Sequence, residues 1–559
     1  MTIQQTIELP SDYYLTNFWQ LLNGVQQRYN DLLSVNELTR IQTLKRLSVD
    51  GQKLYVRLAC RKGAYFRQDK LRYAEINSIE HALAELQTYD LICSKRQCDW
   101  SIIGQLCTLN ELRQFAKQLP QPIHSNGLKK AALLKALTHT PPPTLPFKAI
   151  KLLDDGWMAL FELLYFNSSR QSLTDFVLSD LRLIRYEQYR LDQQTRLYQT
   201  REQIEQALQL AQMADEIVEL DKGGDWPIDA YVNALPSFPA HPAIARRGQR
   251  ITETLAREYE RRGKLDTALS LYQRGTSAFS RERQARILGK TAPQQALELL
   301  QTMLHHPINL SEQQFAQEFT YRLGRQLNMP LSPPPTCDYP RIDWPAPPRK
   351  GAPEQCAIEL LEQQGWQGVH CENALINGIL ALTLWPALFD DGLPGVFFHP
   401  FQSGPVDLYN ADFYQKRQTL IDRLLAEITT PSWPHTIQTR YRTKYGLANP
   451  LFDWQALPET LLQSALERVP ATIWQALARY QLFDLRQTRA GMPDLFVWKG
   501  NQYGWIEVKG PNDKLQTNQL LWIAQLQRLK QPVAVCYLGH QPDAQISPLH
   551  FCPPEDEFD

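Results

Sequence analysis

Apolar residues recur at helical spacing along most of this chain and at strand spacing only near its end. Phe18, Leu21, Leu22, Val25, Tyr29, Leu32 and Leu33 trace an opening helix. Leu109, Leu112, Phe115, Ala116 and Leu119 trace another, stopped by Pro120 and Pro122, and Gly127 then precedes the basic stretch LKKAALLKAL. Nearly everything from Ile150 to Gln326 keeps a helical period. Within TLAREYERRGKLDTALSLYQRG, small and large positions alternate as in a repeating helix pair: Leu255, Ala256, Tyr259, Gly263, Ala268, Leu271 and Tyr272. A further helix of that kind runs from Ala296 to Met303. Proline and glycine then break the pattern, and residues 329–354 read as a linker without helix or strand. Beyond it a helix over 357–364, a buried stripe (Leu375, Ile376, Ile379, Leu380, Thr383, Leu384) and a helix over 413–428 are expected. The period finally drops to two. Asp494–Trp498 and Trp505–Lys509 form a hairpin across a Lys499–Gly504 turn, followed by a helix over 515–529 and a strand over 533–538. The expected fold is mainly α with an α/β domain at the carboxy terminus, divided as 1–95, 96–140, 147–328, the linker 329–354, and 355–559.

The hairpin carries charge where burial is expected. Strand side chains alternate faces, so Glu507 and Lys509 point one way while Ile506 and Val508 enter a core. Asp494, directly after Pro493, can lie beside Glu507 across the ladder, where two like charges repel. A cation between them relieves that repulsion. Hard oxygen donors suit Mg²⁺ or Mn²⁺, which keep part of their water and meet phosphate oxygens. Lys509 completes a set able to hydrolyse a phosphodiester: two acids for a metal, one ammonium to position water or counter transition-state charge. A solvated charged edge is the bland alternative, but these acids interrupt otherwise apolar strands.

Composition changes this picture little. Lys plus Arg number 59 and Asp plus Glu 59, so any nucleic-acid surface must be local. One such region runs from Lys45 to Arg72, where Arg57, Arg61, Lys62 and Arg67 stand among Tyr55, Tyr65, Phe66 and Tyr73, a mixture suited to phosphates and stacked bases. Lys129, Lys130 and Lys135 make a second basic helix face, and Arg246, Arg247, Arg250, Arg257, Arg261 and Arg262 a third. Nine scattered cysteines show no paired metal spacing, so no structural zinc is expected. No apolar run approaches a membrane span, and an intracellular protein is expected.

The arrangement D…ExK across a hairpin resembles the PD-(D/E)xK nuclease pattern. GMPDL, IEVKGPND and NQLLWIAQL, in that order, resemble the VRR-NUC module, most closely that of the Fanconi-associated nuclease family. LSVDGQKLYVRLACRKGAYFRQDKLRYAEI resembles that family's amino-terminal region, 96–140 resembles a SAP helix pair, and 147–328 resembles a tetratricopeptide-type solenoid; the likeness extends from about residue 18 to 540. It implies a structure-specific DNA nuclease acting on branched DNA, as a 5′-flap endonuclease and 5′-to-3′ exonuclease in interstrand crosslink repair. It implies Glu372 as a third metal carboxylate and Gln519 as a polar residue near the site, with the Val508 carbonyl as a further donor. The cellular place would be cytoplasmic and nucleoid-associated in a bacterium or nuclear in a eukaryote. A DNA-junction scaffold with a silent site is the alternative.

Overall fold

The computed structural model describes residues 12–539 apart from 62, 120, 155, 168–183, 222–225, 237–240, 335–336 and 345–351. The chain divides into two compact units, residues 1–183 with 191–219, and residues 184–190 with 220–559.

The first unit holds helices α1 (Tyr13–Tyr29), α2 (Val35–Arg46) and α3 (Val49–Ala59), strand β1 (Tyr65–Arg67), α4 (Ile79–Thr88), β2 (Ile92–Gln97), α5 (Trp100–Leu106), α6 (Leu109–Gln118), α7 (Lys130–Leu137), β3 (Thr144–Leu152), α8 (Trp157–Phe166) and most of α9 (Arg201–Asp221). Caps fix several starts: the Ser34 hydroxyl accepts from the Glu37 amide while Glu37 accepts the Ser34 amide at 2.7 Å, closing a capping box on α2. Phe18, Tyr55 and Trp157 bring α1, α3 and α8 onto one aromatic core, and the Trp157 indole donates to the Tyr55 hydroxyl at 3.1 Å. The helical region expected over 1–95 also supplies two strands, because β1 and β2 flank β3 in an antiparallel sheet of order β1-β3-β2. Pro146 lies inside β3, which also claims the start of the stretch expected to be helical.

The second unit opens with α10 (Ile228–Ala234), α11 (Pro242–Arg261), α12 (Leu265–Tyr272), α13 (Ala278–Thr291), α14 (Pro293–His305) and α15 (Leu310–Gln326), each packed on the next. Ala256 and Ala268 are fully buried, which lets α11 and α12 approach closely, and Gly263 makes their turn at φ +75° with open space around it. The expected single helical domain 147–328 is therefore split, with α8 and most of α9 in the first unit and α10–α15 in the second.

The α/β part comprises β4 (Arg341–Trp344), α16 (Pro353–Gln363), β5 (Gln367–His370), α17 (Ala374–Leu388), α18 (Phe413–Lys416), α19 (Gln418–Glu427), α20 (Trp433–Lys444), α21 (Glu459–Arg468), α22 (Ala471–Phe483), α23 (Leu485–Thr488), β6 (Leu495–Lys499), β7 (Gln502–Lys509), α24 (Thr517–Arg528) and β8 (Val533–Leu538). Its sheet has the order β4-β8-β7-β6-β5, parallel at β4–β8 and β8–β7 and antiparallel at β7–β6 and β6–β5. Two corrections follow. The linker 329–354 contains β4, an edge strand paired from Arg341↔Val535 to Trp344↔Leu538, so the domain begins before residue 355. The helix expected over 413–428 breaks at Arg417, whose buried guanidinium reaches back to both Asp407 carboxylate oxygens at 3.0 Å.

Both sheet faces are covered. Ile358 and Leu361 of α16 pack with Trp344, Leu495, Val497, Ile506, Val508 and Cys536 on one side; α17 and α19–α24 cover the other through Phe496, Trp505, Trp522, Val533 and Val535. β7 sits in the middle and is dry on both faces. α17 tolerates Pro386 in its last turn because another residue replaces the missing donor. Proline has no N–H for the Leu382 carbonyl, and Arg440 of α20 donates to that carbonyl at 2.5 Å and to Thr383 at 2.9 Å. Arg440→Leu should lower stability by about 1–3 kcal/mol, the cost of a buried carbonyl left without a donor. The cost should shrink in a Pro386→Ala background, where the helix supplies its own N–H; urea unfolding of the four proteins measures the coupling.

Candidate active site

β6 and β7 pair from Lys499↔Gln502 to Leu495↔Ile506, and one step past the last pair Asp494 faces Glu507. Pro493 ends the ladder there. The Val508 amide instead donates to Asp494 Oδ2 at 2.7 Å, which fixes that carboxylate at the end of the sheet. Glu507 and Lys509 share a face with Trp505, as alternation requires, and Glu507 Oε1 accepts from Lys509 Nζ at 2.7 Å. The same oxygen accepts from Gln519 Nε2 at 2.5 Å. Gln519 is aimed by its own helix start, where its side-chain oxygen accepts the Gln516 amide at 2.8 Å in a capping box. Glu507 is 1% exposed, Lys509 8% and Asp494 9%, yet Glu507 Oε2 is buried without a hydrogen-bond partner.

The loop that delivers Asp494 is tied down on several sides. Asn377 Nδ2 donates to the Arg489 carbonyl at 2.8 Å, the Trp522 indole to the Thr488 carbonyl at 3.0 Å, and the Met492 amide to Asn373 Oδ1 at 3.3 Å. Gly491 stands at φ +89°, and a Cβ there would lie 2.8 Å from the Asn518 backbone carbon. Only glycine fits that crossing. The sequence reading missed Asn373 and Asn377; both sit on the same helix start as Glu372 but carry no charge signal.

Glu372 is placed at the rim. The Cys371 and Glu372 amides donate to the Asp494 carbonyl at 2.8 and 2.9 Å, and Glu372 adopts φ +28° to do so. Its carboxylate is exposed and accepts from Asn373 Nδ2 at 3.0 Å. Among the described residues no three His, Cys, Asp or Glu side chains converge closely enough to cage a metal. Asp494 and Glu507 are therefore the core of the site, with Glu372 beside them. Glu354, in the first turn of α16, was passed over in the sequence; its charge also acts on Asp494.

Burial first, then the charge of Asp494, push the Glu507 carboxyl up to about 8, against the pull of Lys509. Burial raises the Asp494 carboxyl too, opposed by the Val508 amide and Lys509 and aided by Glu354 and Glu372. Two repelling acids and an unpartnered carboxylate oxygen fit a hard divalent cation, which needs only one or two protein carboxylates and completes its shell with water and phosphate.

The basic residues fare differently. Arg57 Nε and Nη2 both donate to Glu75 Oε1, at 2.8 and 2.5 Å, and the guanidinium stacks 3.9 Å over Tyr14. Arg67 is held by Asp69 and Glu111. Both guanidiniums are therefore engaged by acids within the protein. Arg61 is exposed, donating to the Tyr73 hydroxyl at 3.1 Å, and Lys62 lies outside the described residues. Lys129, Lys130 and Lys135 are exposed on and beside α7. Of the α11 cluster, Arg246 pairs with Asp412 and Arg261 and Arg262 with Glu258, while Arg250 and Arg257 stay exposed.

The FAN1 HTH-domain model matches residues 12–93 and the VRR-NUC domain model residues 431–538. A Fanconi-associated nuclease 1 homolog of Pseudomonas aeruginosa is 32% identical over 549 residues, 94% of this chain and 95% of that protein. The chain belongs to the Fanconi-associated nuclease family. A rice homolog is 25% identical and is covered over 62% of its own length. Among solved structures, paFAN1 bound to 5′-flap DNA with a 2-nt flap and a gap matches with a TM-score of 0.80 at 31% identity, over 95% of this chain and 99% of that one. This family member is accordingly a nuclease with a VRR-NUC domain, a class that implies a divalent metal.

A buried carboxyl with a raised pKa is cheapest when protonated, so its stability contribution is fully present below the ordinary glutamate range and is lost as pH rises toward 8. In metal-free protein the melting-temperature difference, Glu507→Gln minus wild type, should therefore grow between pH 5 and pH 8. A difference independent of pH would mean that Glu507 is not held near neutrality.

Proposed function

We propose that this protein hydrolyses phosphodiesters in branched DNA, as a 5′-flap endonuclease and 5′-to-3′ exonuclease serving interstrand crosslink repair, with Mg²⁺ or Mn²⁺. The observation that carries the chemistry is the buried Asp494–Glu507–Lys509 set with Glu507 Oε2 unpartnered. The flap preference rests on the family and on the 5′-flap DNA bound by paFAN1. Asp494, Glu507, Glu372 and the Val508 carbonyl would hold the cation. When bound, it supplies charge for the scissile phosphate and acidifies the attacking water. Lys509 Nζ, anchored on Glu507, points a donor at the attacking oxygen and counters negative charge in the transition state. Gln519 keeps Glu507 from rotating, so its second oxygen stays turned toward the site. The HTH-type helices, Arg61, and a SAP-type α6–α7 pair bearing Lys129, Lys130 and Lys135 would contact the DNA backbone. α10–α15 would serve as a tetratricopeptide-like brace in the second unit. The protein would act inside the cell, at the nucleoid or in the nucleus, with no zinc and no membrane.

End-labelled 5′-flap, 3′-flap, duplex and single-stranded DNA, incubated with Mg²⁺ or Mn²⁺, test this reading. Wild type should cut the 5′ flap, and Asp494→Ala should lose about 10³-fold or more, since removing a ligand forfeits several kcal/mol at about 1.4 per factor of ten. DNA binding should survive the substitution. Binding without cleavage by wild type would instead establish the silent scaffold.

A further inference from the structure

The sheet of the first unit carries an irregularity next to unpaired charge. β2 and β3 run in register from Ile92↔Leu152 to Lys95↔Ala149, and the next pair is Gln97↔Thr144. One residue of β2, Arg96, thus stands against four of β3, Leu145 to Lys148. Pro146 explains the break, since it has no N–H for the ladder and is tolerated in sheets at edges and bulges. Bulges twist a strand and re-aim its side chains. Beside this one lies a concavity of about 310 Å³ bordered by Gln68, Asp69, Arg96, Pro146, Phe147 and Lys148, with the Arg67 guanidinium 3.8 Å over the Phe147 ring.

The charges around it do not balance internally. Arg67 consumes both nearby acids: its Nε and Nη2 donate to Asp69 at 3.1 and 2.7 Å, and its Nη1 to Glu111 at 2.5 Å. Arg96 and Lys148 are both exposed, and neither has an acidic partner among the described residues. Two cations at one concavity, with the local carboxylates committed elsewhere, repel each other until an anion arrives. The Arg67–Phe147 floor is already held by Asp69 and Glu111, so ordering on binding is confined to the Arg96 and Lys148 side chains. Arg96 can present a planar fork and Lys148 a point charge to adjacent phosphate oxygens.

We propose that this bulge is a DNA-backbone contact, with Arg96 and Lys148 as its charged ligands and Arg67 as the scaffold beneath them. It rests on the reading of the protein as a DNA nuclease and adds to it a sheet-borne phosphate site apart from the helix faces. Its specificity is for backbone charge and not for base sequence.

The test is the salt dependence of binding to a 5′-flap DNA in EDTA, where no cleavage occurs, for full-length wild type, Arg96→Ala/Lys148→Ala, and the charge-conserving Arg96→Lys/Lys148→Arg. Log K falls with log salt, and each lost phosphate contact reduces the magnitude of that slope by about 0.9, so the alanine pair should reduce it by about 1.8. The conservative pair should keep it. The alanine pair should melt no lower than wild type, because it removes repulsion and no internal bond. An unchanged slope in the alanine pair overturns the proposal, and so does a reduced slope accompanied by a lowered melting temperature. Failure of wild type itself to bind DNA would overturn the nuclease reading, a result distinct from normal wild-type binding with an insensitive alanine pair.

Discussion

A carboxylate enclosed at the centre of a five-stranded sheet is the constraint on which the second unit depends. Glu507 lies on β7, covered on both faces, where an unpaired charge would cost several kcal/mol. Lys509 and Gln519 meet one of its oxygens and leave the other without a partner. A fold selected for stability alone would place an apolar residue there. Keeping a repelling pair, Asp494 and Glu507, at the end of one hairpin makes sense only when a cation and a phosphate take up the charge.

Much of the surrounding architecture serves to hold that pair still. The Val508 amide, beyond the last β6–β7 pair, pins Asp494. The chain entering α17 spends two amides on the Asp494 carbonyl, and Asn373 and Asn377 fasten the loop before it. α24 contributes Gln519 from its first turn and Trp522 from its second. Side chains locked this way lose little freedom when substrate arrives, which is what precise phosphoryl positioning demands.

Arginine has two distinct uses in this molecule. Arg417 and Arg440 are structural donors, replacing hydrogen bonds that helix ends and Pro386 leave unmade. Arg57 and Arg67 are neutralised by acids and stacked on rings, so a run of basic residues in sequence overstates the charge available to a ligand. The residues left free are fewer, and some, such as Arg96 and Lys148, are far apart in sequence.

Local pattern alone determined the helical majority, the hairpin and the placement of Asp494, Glu507 and Lys509, because period-two alternation assigns each side chain to a face before any packing is known. The helix pair around Gly263 was legible from its helical period and the glycine between the two helices. What only the tertiary structure decided depends on distant partners. β4 looks like linker because four residues gain strand character only by pairing with β8, nearly two hundred residues later. β3 runs through Pro146 because β1 and β2 flank it, and helix 413–428 breaks because Arg417 finds Asp407 and Ala387. The same holds for charge: whether an arginine faces DNA or a carboxylate is set by which acids the fold brings within reach, and Glu75 and Glu111 are separated from their arginines by 18 and 44 positions.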